Sequence, residues 1–241
     1  MTNFLEVDGV TKTFGGVAAN VDVSFTVAEG EILGLIGPNG AGKTSLFNSI
    51  SGEVSPDKGE IRLAGVRISG RGPVAAARAG VGRTFQVVRS FDSMTVLENV
   101  MVGAFSQAGG ARAAMAGAEA VLGFCGLEGR RDAPAHQLTP PEKRRLEIAR
   151  ALAMKPRLLL LDEMLTGLTP TEAAAGVALV RAVRDQGVTI LMVEHVMEVV
   201  LPLVDRAVVL NLGRVLMQGL PSEVVKNPDV IRAYLGDRYA A

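Results

Sequence analysis

Residues 37–44 read Gly37-Pro38-Asn39-Gly40-Ala41-Gly42-Lys43-Thr44. Glycine, four residues, glycine, lysine and a hydroxyl residue form a phosphate-cradling pattern. The apolar run Ile32-Leu33-Gly34-Leu35-Ile36 precedes it and predicts a buried strand. A helix is expected from Lys43 to Ser51. The physics of the stretch is specific. Glycines let the backbone curl so that several N–H groups point inward. The helix start adds partial positive charge. Lys43 supplies a full charge for β and γ phosphates, and the Thr44 hydroxyl suits a magnesium ion. With 28 glycines in 241 residues, a random chain of this composition carries roughly 0.007 such matches. The candidate nucleotide cradle is therefore Gly37, Pro38, Asn39, Gly40, Ala41, Gly42, Lys43, Thr44 and Ser45.

The complement lies far along the chain, in Leu158-Leu159-Leu160-Leu161-Asp162-Glu163. An apolar strand ending in two carboxylates places both at the carboxyl edge of a sheet, where α/β folds bind ligands. Asp162 is expected to hold Mg²⁺, directly or through water. Glu163 is the candidate general base for an attacking water. His195 follows the apolar strand Val188–Val193 and Glu194, and could reach a γ-phosphate. Gln86 ends the segment Val81–Phe85, and its amide could touch the metal or the water.

Around these motifs the chain alternates. Residues 4–8 and 21–27 read as half-buried antiparallel strands about a Phe14-Gly15-Gly16 turn. Strands are expected at 61–63, 81–86, 157–162, 188–193, 207–212 and 214–218. Helices are expected at 170–186, 195–201, 221–226 and 228–235. From Thr95 to Met154 the spacing is helical, with helices near Leu97–Met101, at 111–125 and at 142–154. The reading is an α/β fold: a mostly parallel core with helices on both faces and a helical insertion.

Composition narrows the function. Lys plus Arg and Asp plus Glu are 25 each, so formal net charge is zero. A dedicated nucleic-acid binder is usually basic, and no nucleic-acid partner is expected. One cysteine and two histidines leave metal chemistry to oxygen ligands. The first 20 residues contain Glu6, Asp8 and Lys12, unlike a signal peptide, and no apolar run reaches 18 residues. The absence of a signal and of disulfide chemistry suggests the cytoplasm.

In this order the motifs resemble the ATP-binding subunit of an ABC transporter over essentially the whole chain. The resemblance implies a P-loop NTPase core with an antiparallel β subdomain and an inserted helical subdomain. The core lobe would be about 1–86 and 156–241, and the helical lobe about 87–155. It also implies ATP and Mg²⁺ as cofactors, with Thr44, Gln86 and Asp162 at the metal and Glu163 and His195 catalytic. Phe14 would stack on adenine, and Gly167-Leu168-Thr169-Pro170 would be the D-loop. Two subunits would sandwich two ATP molecules head to tail and drive transmembrane permease subunits. Residues 87–96, with Phe91 and Met94, would line the groove for the permease. A periplasmic or extracellular binding protein would act indirectly, and the chain would sit peripherally on the cytoplasmic membrane face.

Val81–Gln86, Met94–Val100, Arg145–Arg150 and Asn227–Gly236 are similar to the high-affinity branched-chain amino acid importers. The lipopolysaccharide-export ATPase shares a Tyr-Leu-Gly ending and is the alternative. The family's Leu-Ser-Gly-Gly-Gln signature aligns with Leu138-Thr139-Pro140-Pro141-Glu142. Thr139 keeps a hydroxyl for the opposite ATP, whereas Pro140 and Pro141 have no N–H to donate. The signature set Thr139, Pro141 and Glu142 is thus expected to form a weak or asymmetric site. A weakly hydrolysing regulatory subunit of a heterodimer is the further alternative.

Overall fold

The structure, a computed structural model, describes residues 3–86, 88–194 and 197–235. Two long strands, β1 (Asn3–Phe14) and β2 (Val17–Ala28), form an antiparallel hairpin across Gly15-Gly16. Both extend well beyond the alternating cores at 4–8 and 21–27, and the ladder persists across irregular register at several points. β3 (Ile32–Ile36) leads into the glycine loop and α1 (Lys43–Ile50). β4 (Lys58–Leu63) and β5 (Val66–Arg67) complete a four-stranded antiparallel sheet of order β2-β1-β4-β5.

α2 (Pro73–Ala79) is a helix that the sequence reading passed over. Pro73 starts it and Gly80, at φ 105°, ends it. Its seven residues are too few to show a helical period. β6 (Val81–Arg83) follows, and stops three residues short of the expected Gln86. The backbone leaves the ladder there because the Phe85 N–H donates to the Glu147 carboxylate instead.

α3 (Val96–Ala104), α4 (Ala111–Phe124) and α5 (Pro140–Ala153) pack on one another. α5 begins two residues before the expected Glu142, since proline is well suited to the first helical turn. β7 (Leu158–Asp162), α6 (Pro170–Asp185) and β8 (Thr189–Val193) follow. Of the helix expected at 195–201, α7 (Met197–Val200) is described, and residues 195 and 196 lie outside the described residues. β9 (Arg206–Asn211) and β10 (Arg214–Gly219) make the terminal hairpin, then α8 (Pro221–Val224) and α9 (Pro228–Leu235).

The second sheet runs β10-β9-β3-β8-β7-β6, all parallel except β10. Its inner strands β9, β3, β8 and β7 are buried on both faces, and the period of two sorts their side chains. Leu33, Leu35, Leu158, Leu160, Leu191 and Val193 meet α1 and the antiparallel sheet. Ile32, Ile36, Leu159, Leu161, Ile190 and Met192 meet the core shared with α3–α6. Thus one face of the parallel sheet is covered by a second sheet as well as by a helix, a departure from the simple two-faced helical cover. Among the described residues no helix is long and apolar enough to cross a membrane.

Candidate functional site

The glycine loop sits where β3 ends, at the carboxyl edge of the parallel sheet. Two of its glycines are required by close approach. A Cβ on Gly37 would lie 2.2 Å from the Leu210 carbonyl oxygen, and one on Gly42 2.2 Å from that of Ala19. At Gly40, φ 79°, the corresponding space is open. Asn20 on β2 donates to the Gly42 carbonyl at 3.1 Å, so the β1–β2 hairpin is fastened to the loop. Phe14 lies half-exposed at the tip of this hairpin, with the Lys12 ammonium 5.3 Å from its ring centre.

Lys43 is buried and bends back over the loop. Its ammonium donates to the carbonyls of Gly37 at 2.7 Å and Pro38 at 2.9 Å. Burial lowers its pKa, and the negative charges of Glu163 and Asp162 partly oppose that. The cation thus lies within electrostatic reach of both carboxylates. α1 has no side-chain cap and no acidic residue in its first turn. Its first N–H groups are thus unopposed by a carboxylate of the chain, as an anion cradle requires.

Asp162 is buried at the end of β7, with Arg83 Nη2 3.5 Å from its carboxylate. Arg83 also donates to Asn48 Oδ1 at 2.7 Å and Ser51 Oγ at 2.9 Å, tying β6 to the end of α1. Desolvation raises the pKa of Asp162; Arg83 opposes this and the neighbouring Glu163 charge adds to it. Glu163 adopts φ 49°, a left-handed conformation uncommon for glutamate. Such a backbone costs on the order of 1–3 kcal/mol and clusters at functional sites. Its N–H donates to the Val193 carbonyl at 2.9 Å, which holds the turn. The side chain meets Gln86, whose Nε2 donates to Glu163 Oε2 at 2.9 Å. His195 lies outside the described residues.

A magnesium ion fits the donor set. Among the described residues no group of three His, Cys, Asp or Glu is arranged to hold a metal. The hydroxyl of Thr44 at the cradle and the single carboxylate of Asp162 suit a hard cation that takes its other ligands from water and phosphate.

Three residues that bear on this site carry no motif. Glu147 on α5 accepts the N–H of Phe85 at 3.3 Å and of Arg89 at 2.7 Å. Arg144 on the same helix donates to the carbonyl of Met164 at 2.7 Å. Glu194, buried beyond β8, accepts the N–H of Leu165 at 2.6 Å and the Thr166 hydroxyl at 3.1 Å. The available signal for Glu147 and Glu194 was a carboxylate within an otherwise apolar buried stretch. Such a charge is rarely buried without partners.

The expected signature residues stand at the start of α5. The Thr139 N–H and hydroxyl both donate to Glu142 Oε2, at 2.8 and 2.9 Å. Arg130 pairs with the other carboxylate oxygen at 3.2 Å. Burial raises the Glu142 pKa, but the Thr139 hydrogen bonds, Arg130 and Arg145 outweigh it and the net shift is downward. Thr169, in the expected D-loop, is likewise engaged by Glu172 at 2.8 Å.

Beside the Gln86 loop lies a cavity of about 330 Å³ between β6, α3 and α5. Arg83, Phe85, Val102, Gly103, Arg150 and Met154 are among its walls. Phe91 stands near by, half-exposed, with the Arg150 guanidinium 4.8 Å from its ring centre. Its walls come from β6, α3, α5 and the residues that directly follow them.

Residues 21–166 match the ABC transporter family, and residues 214–240 match the branched-chain amino acid ATP-binding cassette transporter family. The chain is 41% identical to the high-affinity branched-chain amino acid transport ATP-binding protein BraF of Pseudomonas aeruginosa, covering 97% of this chain and 98% of that protein. It is 39% identical to LivG of Escherichia coli strain K12, with the same coverage. The ADP conformation of MJ1267, an ATP-binding cassette of an ABC transporter, superposes with a TM-score of 0.89 at 28% identity. That match covers 98% of this chain and all of the other.

Proposed function

The chain belongs to the ABC transporter ATP-binding family, and from that premise we propose that it powers an importer of branched-chain or related amino acids. It is an ATPase subunit that couples hydrolysis to transport. The cargo assignment is supported by the relatives' names and by the match at residues 214–240. The observation that carries the mechanism is the convergence of Lys43, Asp162, Glu163 and Gln86 at one sheet edge.

In this reading Phe14 stacks on adenine. The N–H groups of Gly40 to Ser45 and the Lys43 ammonium hold the phosphates, with Gly37, Pro38 and Asn39 shaping the turn. Mg²⁺, held by Thr44, Asp162 and Gln86, would neutralise charge on the β and γ oxygens when bound. Glu163 orients the attacking water and takes its proton as the new O–P bond forms. The bond to the bridging oxygen breaks and ADP leaves. His195 completes the set as a further contact to the γ-phosphate.

Residues 87–155 form the lobe that turns against a core of 1–86 and 156–241. The cavity beside Phe85 receives a cytoplasmic helix of the transmembrane permease. The chain is then peripheral on the cytoplasmic membrane face, and a periplasmic or extracellular binding protein reaches it only through the permease. Zero net charge gives it no general attraction to nucleic acid.

The start of α5 selects the second ATP-binding subunit. Thr139 is already engaged by Glu142, and Pro140 and Pro141 lack N–H groups. α5 is capped by its own carboxylate, as α3 is by Glu98 and α6 by Glu172, whereas α1 is not. An ATP facing Thr139, Pro141 and Glu142 across a dimer meets a carboxylate in place of donors. A different subunit with intact donors would complete the ATP site of this chain, and the dimer would hydrolyse asymmetrically.

The test is transport. The chain, a second ATPase, the permease subunits and the binding protein are placed in lipid vesicles. ATP-dependent uptake of labelled leucine, competed by isoleucine and valine, is expected. Uptake of a different cargo class with no competition by these amino acids would contradict the assignment.

A further inference from the structure

Glu147 is 6% exposed, on a helix whose other buried residues are apolar. Burial raises its pKa, against the two N–H donors it accepts and the charges of Arg150 and Arg89. A carboxylate in such a place is costly unless it is satisfied, and its partners say what it holds. They are the N–H groups of Phe85 and Arg89, one immediately before Gln86 and one three residues after it. One oxygen takes each, so the side chain clamps both ends of the loop that carries Gln86. Arg150, one turn along α5, donates to the Arg89 carbonyl and closes the same junction. Arg144, one turn the other way, holds the Met164 carbonyl next to Glu163. A single rigid helix therefore fixes the backbone on both sides of the 2.9 Å contact between Gln86 and Glu163.

We propose that Glu147 is a positioning residue for hydrolysis: it locks the Gln86 loop to α5, so that the Gln86–Glu163 contact forms only when that helix is in place. The role rests on the reading of Glu163 as the general base. Glu147 does not touch the reacting atoms. It acts through the loop, and through it a displacement of α5 reaches the catalytic carboxylate. The Phe85 and Arg150 walls of the neighbouring cavity belong to the same junction, so a partner seated there presses on the clamp.

The experiment uses the full chain assembled with its permease and partner ATPase, carrying Glu147→Ala, Glu147→Gln, Gln86→Ala or the Glu147→Ala/Gln86→Ala pair. ATP affinity by equilibrium binding is expected to stay within about twofold of wild type in the two Glu147 single variants. In Glu147→Ala, kcat falls at least tenfold with little change in KM. Glu147→Gln keeps one acceptor and recovers part of the loss. The double variant is no slower than Gln86→Ala, because both act on one contact. Amide exchange in residues 84–91 quickens in both Glu147 variants while that of 37–44 is unchanged. An unchanged kcat, losses that multiply in the double variant, or equal exchange in 84–91 would overturn the proposal. If Glu147→Ala fails to fold, Glu147→Gln and the exchange measurement decide. If the wild-type assembly hydrolyses no ATP, or Glu163→Gln leaves its rate intact, the reading of Glu163 falls and this role with it; a rate sensitive to Glu163 but not to Glu147 removes this role alone.

Discussion

Gln86 donates its side-chain amide to Glu163 across 2.9 Å, although 77 residues separate them in sequence. β6 and β7 are parallel neighbours, so the segments that follow them leave the sheet at the same edge. One contact thus joins a residue on a surface loop to the carboxylate that closes the phosphate site. A hydrogen bond to a charged group is worth about 1.5–3 kcal/mol. If that is realised in the transition state, Gln86→Ala lowers kcat by roughly 10–100-fold. ATP affinity falls less than kcat, because Lys43 and the glycine loop are untouched. Steady-state kinetics beside equilibrium nucleotide binding check both halves.

Asp162 trades stability for function. Its folded-state pKa is raised by desolvation above the unfolded value of about 3.9. The folded state therefore holds this proton more tightly than the unfolded state. The associated stability is full below the unfolded pKa and is lost as pH rises through the folded one. At neutral pH the whole cost is present. Asp162→Asn should accordingly raise the thermal midpoint at pH 7.5 while abolishing hydrolysis. The gain should shrink as pH falls toward the carboxylate range. A lower midpoint at pH 7.5 would contradict the balance between burial and Arg83.

Cys125 lies in the core shared by α4 and α5, and burial pushes its thiol up to about 12, only partly offset by Arg145. Thiolate is the reactive form. The native protein should resist alkylation at pH 8 for hours, and react stoichiometrically once unfolded in denaturant. Rapid labelling of the folded chain would show that the packing under α4 opens.

The start of α5 offers a gain of function. Glu142→Gln removes the carboxylate, and adding Pro140→Gly and Pro141→Gly restores two N–H donors. In the wild-type background, ATP should leave the Glu163→Gln chain monomeric by light scattering. In the triple variant, ATP should produce a homodimer. A Glu163→Gln homodimer with Pro140 and Pro141 in place would contradict the asymmetric pairing.

The parts of the site that were legible in the sequence are those made by consecutive residues. Gly37–Thr44 and Leu158–Glu163 each state a local geometry, a curled loop on a helix start and a buried strand ending in acid. Their meeting follows from parallel strand order. Glu147, Arg83 and Arg144 were not legible as parts of the site, because their role comes from the packing of α5 and β6 against the loop. Nothing in Leu146-Glu147-Ile148 says which N–H groups face it. The fold shows the same division. Strands with strong apolar runs stand where the periodicity places them, whereas β6 ends early at Arg83 through a tertiary bond from Phe85 to Glu147. α2 was missed because seven residues hold too few turns to show a period.

The most direct measurement is the steady-state ATPase rate of the purified chain, alone and with its neighbouring ATPase and membrane subunits, beside the Glu163→Gln variant. The account predicts a low rate alone, a marked rise on assembly, and its loss in the variant while nucleotide binding persists. A rate that Glu163→Gln leaves intact, or that is already full in the isolated chain and indifferent to partners, would contradict it.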